Sequence, residues 1–117
     1  SIALEDRYPI RSHRFDWNEI QRPEDSGQVV YRLRERSYGI VPPQTIRFGK
    51  LAFDILSSCD GSVSVRQLAE HPILGPKLPG QGLALRLGNL GELLTGLVSE
   101  GVVHLSPVPT AIPSSRS

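Results

Sequence analysis

A change of period near residue 48 constrains this chain more than any other feature. Before it, apolar side chains recur at every second residue; after it, they recur at helical spacing. Val29, Tyr31 and Leu33 alternate with Val30, Arg32 and Arg34. In an extended strand that puts an apolar set on one face and guanidinium groups on the other. The alternation resumes at Tyr38-Gly39-Ile40-Val41 and halts at Pro42-Pro43, neither of which can donate to a ladder. It returns in Gln44-Thr45-Ile46-Arg47-Phe48, with Ile46 and Phe48 inward. Three strands separated by turns make an antiparallel sheet the economical arrangement. Phe48, Leu51, Ala52, Ile55 and Leu56 then fall at i, i+3, i+4, i+7 and i+8, the apolar stripe of a helix.

The rest of the chain is arranged around this switch. Residues 1–27 read as a polar N-terminal arm with a short strand through Tyr8, Ile10 and Phe15, reaching toward Trp17, and the run Arg22-Pro23-Glu24-Asp25-Ser26-Gly27 is turn chemistry. The first helix should end near Cys59-Asp60-Gly61, where Gly can supply a left-handed residue. Ser64-Val65-Arg66-Gln67 has the spacing of a capping box, opening a short helix with Val65, Leu68 and Ala69 on its apolar side and His71-Pro72 as its stop. Residues 72–82 read as a long Pro/Gly loop, and Leu83–Leu87 is open between strand and helix.

A last helix should start at an Asn89 cap and bury Leu90, Leu93, Leu94, Leu97 and Val98. Gly91 and Gly96 each cost about 1 kcal/mol relative to Ala inside it, and also admit close approach by another backbone. Gly101 stops it, Val102–Leu105 reads as a strand, and 106–117, with Pro107, Pro109 and Pro113, reads as a disordered tail. The expected fold class is α+β: a winged helix-turn-helix over 28–105, with a three-stranded antiparallel N-terminal sheet followed by three helices and a closing strand.

Composition removes several function classes. A length of 117 residues suits one domain. Thirteen basic against twelve acidic side chains give a net charge of +1 and a pI of 7.9, below the value of about 9 that marks avid nucleic-acid binders. No stretch approaches the ~18 apolar residues of a membrane span. One cysteine, Cys59, leaves no internal disulfide and fits a reducing, cytoplasmic setting. The absence of Met suggests a processed chain or a domain cut from a larger one.

His13, His71 and His104 lack the spacing of a metal site, and Cys59 lacks a histidine or second cysteine beside it. Gly80-Gln81-Gly82 and Gly88-Asn89-Leu90-Gly91 lack the Lys-Ser/Thr of a phosphate loop. No catalytic constellation, metal or cofactor is expected.

Two features point to a partner. Arg32, Arg34 and Arg36 place charge on one strand, suited to an acidic peptide or to phosphate, or else simply solvated. The last helix, by contrast, has no Arg, Lys or Gln between Leu90 and Glu100, the side chains that DNA reading needs. A winged helix without that chemistry can still take an extended segment by strand addition, with Gln44–Phe48 beside the last helix as the groove.

The segment Thr45–Glu70, with Cys59-Asp60-Gly61 and Ser64-Val65 in place, resembles PqqD-like proteins, the precursor-peptide recognition elements of ribosomal peptide-modification systems. Leu93-Leu94, Leu97-Val98 and Gly101-Val102-Val103 look like the closing helix and end of that family. The resemblance covers about 28–105, and the Pro/Gly loop at 72–82 departs from it. It implies a noncatalytic domain that holds the leader segment of a precursor peptide and delivers the rest to a peptide-modifying enzyme. Carried onto this chain, the peptide-binding residues are Gln44, Thr45, Ile46 and Arg47 on the strand, and Leu90, Leu93, Leu94 and Leu97 on the helix. Arg32 and Arg34 would be an auxiliary anchor for acidic leader residues. Similar winged helices also serve as accessory or dimerisation domains of methyltransferases and JmjC-type oxygenases, which keeps a homodimer open as an alternative. A DNA-binding winged helix is the third.

Overall fold

The computed structural model describes residues 3–21, 30–37, 39 and 41–110. Four strands form two separate antiparallel pairs, and three α-helices complete a mixed α+β domain. The strands are β1 (Tyr8–Arg11), β2 (Tyr31–Arg34), β3 (Thr45–Phe48) and β4 (Val103–Ser106). The helices are α1 (Lys50–Ser57), α2 (Val65–Glu70) and α3 (Leu83–Ser99). No helix of the described residues is long and apolar enough to cross a membrane.

The expected three-stranded N-terminal sheet is replaced by these two pairs. β2 pairs directly with β3, in the register Tyr31↔Phe48, Arg32↔Arg47, Leu33↔Ile46 and Arg34↔Thr45. The strand expected between them does not form where it can be described. Val41 is 68 % exposed at a bend, and Pro42-Pro43 supply no donor. Tyr38 and Ile40 lie outside the described residues, as do Val29 and the 22–27 turn. β1 pairs with β4 instead, from Tyr8↔Ser106 to Arg11↔Val103. That ladder joins the two ends of the sequence, which no local pattern announces.

A proline inside β1 shapes what surrounds it. The Arg11 amide donates to the Cys59 carbonyl and the Gly61 amide to the Pro9 carbonyl, each at 3.0 Å. Pro9 has no N–H to return the second bond, so the Gly61 carbonyl is left for another donor. The Thr110 amide takes it at 2.7 Å. This bond places Thr110, within the stretch expected to be a tail, against the turn that follows α1. Residues 111–117 lie outside the described residues.

Local signals open α1 and α2, and a tertiary bond helps to hold α3. α1 buries Ala52, Ile55 and Leu56, the stripe expected from the sequence. Phe53, on its flank, stacks on Tyr31 of β2 at 4.2 Å between ring centroids. α2 is opened by the capping box: the Ser64 hydroxyl accepts from the Gln67 amide at 3.1 Å, and the Gln67 side chain accepts from the Ser64 amide at 2.7 Å. α3 starts at Leu83 behind Gly82, six residues before the expected Asn89 cap. Asn89 lies inside the helix, where its side-chain amide donates to the Pro79 carbonyl. That bond ties the 72–82 segment down, together with buried Leu74 and Leu78. His71 adds a local cap, its Nδ1 accepting from the amides of Ile73 and Leu74 at 3.1 Å each.

One core unites these elements. Leu33, Ile55, Leu56, Val65, Leu68, Leu90, Leu94, Val102 and Val103 pack in it, and Phe15 from the N-terminal segment is fully buried among them. Phe15 is not in β1 but forms a single bridge to Glu35. Trp17 follows in a 3-10 turn, its indole donating to the Ser12 carbonyl at 2.6 Å.

Candidate functional site

The edges of the two sheets are not equivalent. The far edge of β2 is covered: Gln21 and Arg32 exchange backbone hydrogen bonds at 2.9 Å each, and the Asp16 amide donates to the Arg34 carbonyl at 2.9 Å. The far edge of β1 is met by Cys59 and Gly61. β3 is different. Antiparallel alternation turns the backbone of Ile46 and Phe48 toward β2 and that of Thr45 and Arg47 away from it. Among the described residues, nothing pairs with those outward groups of Thr45 and Arg47.

This open edge is one wall of a groove of about 440 Å³. Thr45, Ile46 and Arg47 line it on one side, and Leu93, Gly96 and Leu97 of α3 with Glu100 just beyond it on the other. The expected strand and helix residues are thus brought together, with two corrections. Leu90 and Leu94 are 0 % exposed and belong to the core. A leucine buried that fully contributes about 1.5–3 kcal/mol to folding, and no ligand reaches it without opening the fold. Gln44 is spent at the hairpin entrance, its amide donating to the Glu35 carboxylate at 3.1 Å and its carbonyl accepting from the Glu35 amide at 2.8 Å. Gly96 lines the groove, and a Cβ there would meet nothing within 4 Å. The sequence marked Gly96 as a place of close approach; it carried no sign of Glu100.

Arg32 and Arg34 stand on the exposed face of β2, away from the core. The register places Arg47 directly across from Arg32, and Thr45 across from Arg34. Three guanidinium groups therefore share one sheet face. Among the described residues, none of the three side chains forms a hydrogen bond or ion pair. Arg36 points elsewhere, donating to the His13 carbonyl at 2.9 Å. The nearest carboxylate in sequence, Glu35, is committed to Arg14. Hydrogen bonds from the Arg14 side chain and the Gln44 amide hold its carboxyl below the usual glutamate range.

The remaining reactive groups are engaged in structure. Burial pushes the Cys59 thiol up to about 12, and its Sγ lies 3.2 Å from the Ile55 carbonyl, so it carries no nucleophilic thiolate at neutral pH. The Ser62 hydroxyl and amide hold Asp60 below the usual aspartate range, against the opposing effect of burial. Among the described residues, no three His, Cys, Asp or Glu side chains gather as a metal ion would require.

Two larger concavities flank the groove. One, of about 630 Å³, is polar and runs along the arginine face from Asp16 and Glu19 to Thr45. The other, of about 760 Å³, lies between Leu4 and the Leu87, Gly88 and Gly91 side of α3. The smaller groove differs from both in its unpaired strand edge. No protein-family model, curated protein or solved structure matches this chain.

Proposed function

We propose that this chain is a noncatalytic peptide-recognition module. In this reading it is a winged helix-turn-helix in which β2 and β3 precede α1, α2 and α3, and β4 closes the unit. An extended segment adds to the open edge of β3, and its side chains enter the groove against Leu93, Gly96 and Leu97. Backbone hydrogen bonds supply affinity that does not depend on sequence, and the groove selects side chains. The observation that carries this reading is the unpaired β3 edge facing α3 across a groove, since proteins normally cover such an edge. Likeness of Thr45–Glu70 to PqqD-like elements extends it: the segment is the leader of a ribosomally made precursor peptide, presented to a separate modifying enzyme.

The test is an NMR titration of the labelled protein with synthetic peptides that cover short reading frames flanking its gene. Signals of Thr45, Arg47, Leu93, Gly96 and Leu97 should move. Thr45→Pro should weaken binding at least tenfold, because the amide it removes faces away from β2 and a strand's first position tolerates proline. Thr45→Val, which keeps that amide, should bind like the parent. A folded protein whose signals do not respond would sink the proposal and favour an accessory or dimerisation role.

A further inference from the structure

We infer that the segment recognised by β3 alternates apolar with acidic side chains, the acidic ones lying over Arg47 and Arg32. This rests on the strand-addition reading above and specifies its ligand. A strand added to β3 must share its pleat, so successive side chains point to opposite faces. Toward α3 they meet Ile46, Leu93 and Leu97, an apolar surface. Toward the other face they meet the arginine row, which Arg47 extends to the open edge itself.

Charge makes the alternation a requirement. Arg32 and Arg47 are direct cross-strand partners, and like charges so placed destabilise a sheet. An incoming carboxylate beside Arg47 relieves that repulsion. Asp16 and Glu19 lie beyond β2, on the side remote from the β3 edge. On the inner face, Glu100 lines the groove where the carbonyl end of α3 also lies, and both disfavour an acidic side chain there. A shift of one residue would exchange the two faces, burying carboxylates against leucine and setting apolar groups over guanidinium.

Two capped nine-residue peptides test this: one alternates leucine with aspartate, the other has serine at each aspartate. The acidic peptide should bind at least tenfold tighter and move the signals of Thr45–Arg47 and of Leu93 and Leu97 together. The double variant Arg32→Gln/Arg47→Gln should bring it down to the serine peptide's affinity. The same variant, relieved of its facing charges, should unfold at a higher urea concentration than the parent, which separates lost recognition from lost folding. Equal affinity for both peptides, unmoved by the arginine variants, overturns the acidic pattern and leaves strand addition standing. Shifts confined to the arginine face overturn the register. Tighter binding of an eight-nucleotide thymidine strand to the same arginines, falling steeply with salt, reassigns that face to nucleic acid. Silence from both peptides overturns the inference, and the Thr45→Pro titration then decides the fate of the groove separately.

Discussion

Gly61 and Gly96 show how differently two glycines are used. Gly61 has φ of +84°, and a Cβ there would lie 1.7 Å from the Thr110 carbonyl oxygen. Gly61→Ala must bear left-handed strain of about 1–2 kcal/mol and displace the 106–110 segment, so it should lower stability by about 2 kcal/mol or more. Gly96→Ala meets no atom and removes a helix-interior glycine, so a gain of about 0.5–1 kcal/mol is expected. Urea unfolding of the two variants measures both; equal midpoints would mean that neither the turn nor the groove is as described. The sequence singled out Gly61 as turn chemistry, and its φ agrees. Its contact with Thr110, 49 positions along the chain, leaves no trace in any local window.

Among the elements, α2 is where sequence and structure agree most closely, because its start signal is local. Ser64 and Gln67 satisfy each other's backbone amides. Ser64→Ala should therefore cost about 1 kcal/mol, read as a lower urea midpoint with an unchanged slope. An unaltered midpoint would show the cap to be redundant. The start of α3 was hidden for the opposite reason. Leu83 and Leu85 are 38 % and 59 % exposed, so the first turn has no buried stripe to declare its period, and Gly82 rather than a capping side chain precedes it. The division of α3's leucines was also illegible. Leu90, Leu93, Leu94 and Leu97 read as one apolar face, and which of them line the groove depends on where β3 lands against it. β1 and β4 were each recognisable as strands, but their pairing spans nearly the full chain.

Three carboxylates join parts of the molecule that are distant in sequence or close a turn between them. Glu35 binds Arg14, Asp60 orders the Ser62 turn, and Asp54 of α1 receives Lys50 at 2.6 Å and Lys77 at 3.1 Å. Burial raises Asp54, but the two lysine hydrogen bonds outweigh it and hold the carboxyl below its usual range. With Glu35 and Asp60 also lowered, all three bind protons more weakly folded than unfolded. The stability they contribute is present above their ordinary values of 4.5 for Glu35 and 3.8 for Asp54 and Asp60, and is lost as pH falls through the lower folded values. The urea midpoint should therefore drop as pH falls below about 4.5, and Asp54→Asn should flatten part of that drop. A midpoint at pH 3 equal to that at pH 6 would remove these pairs from the account.

The β1–β4 ladder has one further consequence. Tyr8 and Ser106 are direct partners, about 5 Å apart, the width of one strand pair, and the stretches that flank them are held too: Leu4 packs against α3 and the Thr110 amide bonds the Gly61 carbonyl. Tension applied to the two flanking stretches would have to release Leu4 and Thr110 before it peeled β1 from β4, one pair at a time, starting at Tyr8 and Ser106.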